Sequence, residues 1–398
     1  VNITPLVATA QSATSVEFSA LPPLSLYIHL PWCIKKCPYC DFNSHVAREA
    51  LPETAYVNAL LADLEANLPQ VWGRPVHTIF IGGGTPSLFS VEAITQLLAG
   101  VRARLPLLAG AEVTLEANPG TAEAVKFAGY RAAGVNRLSL GIQSFNDDHL
   151  KALGRVHDAT QARQAIELAM THFDRVNLDV MYGLPQQTVA QALQDIAIAR
   201  SHAPEHLSAY HLTLEPNTYF HRYPPVLPDD DCAADMQEAI EADLAQDGYV
   251  HYETSAFARP QAQCQHNLNY WMFGDYLGIG AGAHGKLSFK NRILRTSQGR
   301  QPSAYVTQQQ GGSVVSQSHA IAIEALPGEF MMNALRLNQG WDLGLFTERT
   351  GLNVVHILDG LSQAQTRGFI ERHHQRIVPT QLGQRFLNDL VQLFLAEE

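Results

Sequence analysis

The run Tyr27-Ile-His-Leu-Pro-Trp-Cys33-Ile-Lys-Lys-Cys37-Pro-Tyr-Cys40-Asp-Phe42 governs how the rest of the chain is read. It begins inside an apolar, β-branched stretch, Leu24–Leu30, and turns at once into C-x-x-x-C-x-x-C with no fourth cysteine nearby. Three thiolates on one short loop can each hold one iron of a cubane and leave the fourth iron open. An amine and a carboxylate on one small molecule can chelate that iron. S-adenosylmethionine (SAM) carries both, and an electron from a 4Fe–4S cluster can split its sulfonium bond. A structural zinc ion wants four closed ligands, commonly in paired C-x-x-C knuckles. His29 and His45 flank the loop, so Cys3His zinc stands as the second reading. A disulfide would leave one thiol over.

Outward from this loop the chain repeats a strand-then-helix rhythm. Apolar runs at Leu24–Leu30, Thr78–Ile81, Glu112–Ala117, Arg137–Ile142, Val176–Met181 and His206–Thr213 read as strands. Glu53–Leu68, Val91–Leu105, Thr121–Ala133, Ala159–Met170 and Val189–His202 read as the helices between them. The runs are continuously apolar, as in parallel strands covered on both faces, and the crossovers are right-handed. The expected fold class is α/β, with the parallel strands in either a barrel or an open sheet; six units would make an incomplete (β/α)6-type barrel, and the pattern leaves room for two more. Residues 1–21, without Lys or Arg and rich in Ala, Ser and Thr, read as a disordered tail and not as a secretory signal. The core is placed at 22–228, ending at the Pro-rich Tyr223–Pro228 and the acidic Asp229–Asp231. An extension follows at 229–319. It holds a helix, Cys232–Ala245, and a Gly- and aromatic-rich stretch. Its polar end, Gly299–Gln317, is expected to loop over the surface. The remainder, 320–398, reads as a helical, winged-helix-like domain with a short hairpin and a final helix, Gln381–Ala396.

Composition narrows the class further. The 398 residues are 46% hydrophobic, enough for a large core. A net charge of −11 disfavours a nonspecific nucleic-acid binder. Five cysteines, three of them bunched, do not make an extracellular disulfide framework, and Cys232 and Cys264 read as inert thiols. No apolar run reaches membrane-spanning length. A cytoplasmic location is expected.

In folds of this type ligands gather at the carboxyl ends of the strands. There stand Gly82-Gly-Gly-Thr-Pro86, whose glycines let backbone approach a ligand closely; Glu116, suited to ribose hydroxyls or an amine; Gln143 and Ser144; Arg155; and Asp179 before Tyr182-Gly-Leu-Pro185. Each alone is more often satisfied locally. Together, at equivalent strand ends, they outline a site.

These stretches, with Glu116-Ala-Asn-Pro-Gly120, Gly141-Ile-Gln-Ser-Phe145 and Leu178-Asp-Val-Met-Tyr-Gly-Leu-Pro185, resemble radical SAM proteins of the coproporphyrinogen dehydrogenase group. The resemblance is closest to the HemW heme-chaperone branch and runs from Pro22 to the C-terminus. It implies a radical SAM partial (β/α)6-type TIM barrel in which Cys33, Cys37 and Cys40 ligate a 4Fe–4S cluster. It further implies SAM contacts at Tyr27, Gly83, Gly84, Thr85, Glu116, Gln143, Arg155 and Asp179, with Tyr39 beside the adenine. The decarboxylating members carry an extra cysteine two residues past the last cluster ligand, where this chain has Phe42. Coproporphyrinogen decarboxylation is therefore doubtful, and whether the protein is an enzyme at all stays open.

The stretch Gln263–Phe273 reproduces the H-N-x-x-Y-W signature of the heme-chaperone branch at His266, Asn267, Tyr270 and Trp271. A neutral imidazole can hold heme iron and aromatics can pack on the macrocycle. A lone His is more often a hydrogen-bonded core residue; the resemblance favours His266 as a heme ligand, while Cys264, two residues away, keeps thiolate ligation or covalent attachment open. Gly278–Gly285 is a glycine-rich loop without a following phosphate-binding Lys. The leading expectation is a heme-binding and transfer protein on a radical SAM core, with heme, an acceptor protein and an electron donor as partners. That acceptor can be membrane-associated although this chain shows no membrane segment. A radical SAM oxidoreductase acting on coproporphyrinogen III and a zinc-stabilised interaction protein are the alternatives.

Overall fold

Six parallel strands lie where the apolar runs predict them: β1 Leu24–Leu30, β2 Val76–Gly83, β3 Leu107–Ala117, β4 Arg137–Gln143, β5 Arg175–Tyr182 and β6 His206–His211. In this computed structural model, which describes residues 15–310 and 316–396, the six pair in chain order. Ile28 faces Ile81 across β1 and β2, and Ile81 faces Leu115 across β2 and β3. Helices Glu53–Val71, Val91–Arg102, Ala159–His172 and Val189–Ser201 pack Leu60, Leu97, Ile166 and Ile196 into the core shared with these strands. Their starts are fixed by side-chain caps, Ser90 on the second and full capping boxes at Asp158 and Thr188 on the last two. The helix expected over Thr121–Ala133 is two pieces, Thr121–Ala124 and Phe127–Ala133. At the break Lys126 Nζ donates to the carbonyls of Ser87, Leu88 and Phe89, stitching the turn after β2 to the next unit.

Both edges of the sheet are built by the region expected as an extension. Strands β7 Val250–Glu253, β8 Ala256–Ala258, β9 Asp275–Ile279, β10 His284–Phe289, β11 Arg292–Gln298 and β12 Ser316–Ala320 give the order β12-β11-β10-β9-β1-β2-β3-β4-β5-β6-β8-β7. Strand β9 runs parallel to β1, and β8 runs antiparallel to β6. The sheet stays open, so the barrel is partial. Within the polar stretch expected as a surface loop, Pro302–Gln310 is a helix and β12 starts at Ser316; 311–315 lie outside the described residues. The helix is anchored by Tyr305, 1% exposed, whose hydroxyl donates to Asp63 at 2.7 Å.

The C-terminal part forms a second core around Phe330, Trp341, Phe346, Leu361 and Ile377. Trp341–Asp342, Ile370–His373 and Arg376–Pro379 make a small antiparallel sheet that includes the expected hairpin. The final helix is interrupted at Phe386 into Gln381–Arg385 and Leu387–Gln392. The tail expected to be disordered over 1–21 needs correcting at its end, while 1–14 lie outside the described residues. Val16 and Phe18, two residues apart, are buried in this second core, and the N–H of Glu17 donates to the Gly351 carbonyl at 3.1 Å. No helix among the described residues is long and apolar enough to cross a membrane.

Where β9 joins β1, Asp275 is shut away from solvent. It accepts from Lys286 Nζ at 3.0 Å and from Arg74 at 2.8 Å, with the Ser288 N–H at 2.8 Å. Burial alone would raise the Asp275 carboxyl; Lys286 and Arg74 reverse that and hold it below its usual range. Asp275→Ala leaves Lys286 charged and unpaired in the core, so it is expected to lower stability by about 3–5 kcal/mol in urea unfolding. A loss near zero would show that Lys286 finds another partner.

Candidate functional site

The carboxyl ends of β1 to β6 open into a cavity of about 390 Å³. Its wall contains Cys33, Cys37 and Cys40 together with Tyr39, Gly83, Gly84, Thr85, Glu116, Gln143, Arg155 and Asp179. The topology therefore brings eleven of the thirteen sequence-predicted residues into one place. Tyr27 faces a neighbouring cavity, and His266 lines neither.

The cysteine loop is held as a rigid excursion from β1. Trp32–Cys33 pairs with His45–Val46, the Ala47 N–H donates to the Cys33 carbonyl at 2.9 Å, and the Cys40 N–H to Cys37 at 3.1 Å. His29 locks its base, with Nδ1 2.9 Å from Tyr27 Oη and Nε2 2.9 Å from the Asn43 carbonyl. Gly83 sits against that ring at φ +114, and a Cβ there would come 2.5 Å from His29 Cε1. This close approach and backbone conformation both demand glycine.

The donor set fits a cluster better than zinc. Burial raises the Cys33 and Cys40 thiols, and Arg155 Nη1 lies 3.5 Å from Cys37 Sγ. Both nitrogens of His29 are already engaged, and His45 Nε2 lies 3.2 Å from the Arg300 carbonyl. His29 is thereby spent, and His45 turns its Nε2 to the Arg300 carbonyl. Three thiols without an imidazole match the cubane arrangement with one open iron.

Opposite the thiols, Glu116 accepts from the Gly83 N–H at 3.1 Å. Desolvation in the wall, with the Asp179 carboxylate next to it, pushes Glu116 up to about 7 despite that hydrogen bond. Asp179 is raised too, by burial first, while Asn177 (2.7 Å) and Ser139 (3.2 Å) donate to it. Arg137, also in the wall, offsets Asp179 in part. A carboxylate pair of this kind can accept from an amine or from sugar hydroxyls. Gln143 adopts φ +69 at the end of β4. Arg155 donates to Gly141 O at 2.8 Å and to Asn118 Oδ1 at 2.7 Å, and Asn118 in turn donates to Thr85 at 3.1 Å. Sequence reading did not single out Asn118, although it sits inside the quoted Glu-Ala-Asn-Pro run. It likewise passed over His211, Asn177 and Ser208 in the wall, which stand in ordinary strand positions.

His266, expected as a heme ligand, is packed in the core. It opens the helix Gln265–Trp271 and is 2% exposed. Its Nδ1 lies 2.8 Å from Thr78 Oγ1, its ring packs 5.1 Å from Phe80, and its N–H donates to Glu112 at 3.1 Å. Burial, with Arg137 nearby, lowers the imidazole to about 3, so it is neutral. The neutral form that can ligate iron is present, and Nε2 is buried without a hydrogen-bond partner among the described residues. Its neighbour Asn267 does line the cavity. Cys264 is buried as well, its thiol pushed up to about 12 by burial.

Residues 27–197 match the Radical SAM superfamily and residues 324–386 match the HemN C-terminal domain. Fold, three-thiol loop and these matches define a radical SAM protein with a HemN-type C-terminal domain. A structure titled coproporphyrinogen III oxidase (HemN) from Escherichia coli, described there as a radical SAM enzyme, superposes with a TM-score of 0.79 at 24% identity. That likeness covers 94% of this chain and 90% of the other, and it concerns the fold. Relatives named heme chaperone HemW are 51% identical in Escherichia coli K12 and 47% in Haemophilus influenzae, each over 95% of this chain and 99% of theirs. The chain belongs to the HemW family.

Two outcomes test this site. Cys37→Ser is expected to drop iron in anaerobically reconstituted protein from about four per chain to below about one; retention of iron would remove Cys37 from the ligand set. Glu116, at about 7, accepts most strongly from the hydroxyls or the amine of SAM when it is ionised. SAM affinity should therefore rise with pH through that value, by up to about tenfold per unit below it. Glu116→Gln should flatten the profile; an unchanged profile would show that Glu116 does not face SAM.

Proposed function

We propose that the protein is a heme chaperone, holding heme and passing it to an acceptor protein, on a core that also carries a three-cysteine 4Fe–4S cluster and SAM. The observation that carries this reading is the 51% identity, over nearly the whole chain, to a protein named heme chaperone HemW. Phe42 supports it further. The ring is 62% exposed and lines the cavity at the place where decarboxylating relatives are expected to have a cysteine. A phenyl ring neither gives a proton nor carries an electron, but it offers a planar apolar surface to a macrocycle.

When bound, the cluster supplies an electron and SAM an electrophilic sulfonium. The chain's own part is to hold and orient. Cys33, Cys37 and Cys40 would take three irons, Arg155 would temper the charge at Cys37, and Glu116 with Asp179 would fix the polar end of SAM. Tyr39, packed against Phe220 at 6.5 Å, would flank the adenine. The cytoplasm is the proposed location, with a reduced electron carrier as donor. Heme transfer needs surface contact alone, so a membrane-associated acceptor fits.

Anaerobically reconstituted protein is expected to bind up to about one hemin per chain and to pass it to an apo-heme protein. Coproporphyrinogen with SAM and reductant should release no carbon dioxide. Release at a catalytic rate would overturn the chaperone reading in favour of an oxidoreductase.

A further inference from the structure

A second cavity, of about 300 Å³, adjoins the first and shares Asp41, Phe42, Gly83 and Glu116 with it. Its remaining wall is Tyr27, His29, Asn43, Tyr270, Gly282, His284 and Arg300. The glycine-rich loop Gly278–Gly285, to which the site described above assigns no role, supplies one side. Gly280, at φ +107, is packed against the carbonyl of His29, where any Cβ would collide. Asn43 Nδ2 then donates to the carbonyls of Ala281 and Arg300, each at 2.9 Å. One side chain thus fixes the cysteine loop, the glycine loop and the backbone of Arg300 to each other.

The Arg300 side chain is exposed and makes no ion pair or hydrogen bond with any described residue. His284, exposed in the same cavity, likewise has no side-chain partner among them. Burial and the charges of Arg300 and Arg295 lower its imidazole, so it is a neutral donor near an arginine. Tyr27 Oη already lies 2.9 Å from His29. Two carboxylates share the space. Glu116 is tied to the Gly83 N–H, and Asp41 is exposed where the two cavities meet. Neither forms an ion pair with Arg300. A fixed backbone with an unpaired guanidinium is what planar carboxylate recognition requires.

We propose that Arg300, with His284 beside it, is a docking point for a carboxylate arm of a tetrapyrrole whose face rests on Phe42. The proposal rests on the heme-chaperone reading and names the part of the ligand that is held. Phe42 lines both cavities, so a macrocycle lying on it can lower a propionate into the second one. Another carboxylate source is the methionine end of SAM, and the test separates the two.

The experiment titrates reconstituted wild-type protein, Arg300→Gln and Arg300→Lys with hemin, with hemin dimethyl ester and with SAM. Arg300→Gln keeps the backbone carbonyl that Asn43 and His45 use, and the cluster spectrum reports an intact loop. Wild type is expected to bind hemin about tenfold or more tighter than the ester, and Arg300→Gln to bind both as weakly as wild type binds the ester. Arg300→Lys should recover part of the difference. Equal hemin affinity in wild type and Arg300→Gln overturns the proposal, as does an equal loss for hemin and ester. A loss confined to SAM assigns the carboxylate to SAM and overturns it too. If wild type binds neither hemin nor ester, the chaperone reading falls with it; if it binds both equally, only the carboxylate docking point falls.

Discussion

The site depends on the imidazole of His29. It stands one residue before the end of β1 and is engaged at both nitrogens, by Tyr27 behind it and by the Asn43 carbonyl across the cysteine loop. The loop's two ends are thereby tied to one rigid strand, and the cysteines between them cannot drift as the loop alone would. The ring is also the surface against which Gly83 turns, so the position of the thiols and that of the Glu116–Gly83 contact are set by one object. Burial lowers His29, hence the ring stays neutral and can donate from only one nitrogen. The structure thus spends a histidine on geometry at a place where sequence alone also allowed a metal ligand.

Around that pin the electrostatics are incomplete in a directed way. Burial raises the thiols of Cys33 and Cys40, and it raises Glu116 and Asp179 on the other side of the cavity. Groups that would rather be neutral face a shared space, offset in part by Arg155 beside Cys37, Lys36 near Cys40 and Arg137 near Asp179. An isolated fold would gain by replacing such residues with apolar ones. On the proposed reading, cationic ligands would compensate them, irons at the thiols and SAM at the carboxyls. By contrast Asp275, equally buried, is fully paired, and its carboxyl is lowered rather than raised. The difference between the two environments separates a site from a structural ion pair.

The parallel strands were legible because each is an unbroken apolar run closed by a turn, and the wall residues followed from the rule that such strands carry function at their carboxyl ends. The edges were not legible. Strands β8 and β9 are short, and β9 pairs with β1 across some 250 residues of chain, a partnership no local pattern encodes. Tyr305 illustrates a different failure. A Gln-rich surface composition hid one aromatic whose hydroxyl completes the Asp63 network, so a helix was read as a loop. Val16 and Phe18 failed in the same way, two apolar side chains in a polar tail being enough to dock it.

His266 raises the subtler issue, since motif and chemistry agreed there while burial did not. On its helix Asn267 reaches the cavity, while His266 bonds to Thr78 of β2. An imidazole lowered to about 3 is a competent ligand in principle, yet the Phe80 and Tyr270 rings pack within 5.4 Å of it. Phe80, which packs on the ring, lines that cavity. Phe42 and Arg300, by contrast, are exposed at the second cavity. On the proposed reading, what makes the cavity a holding place is its rim, and the motif helix serves by closing the floor beneath it.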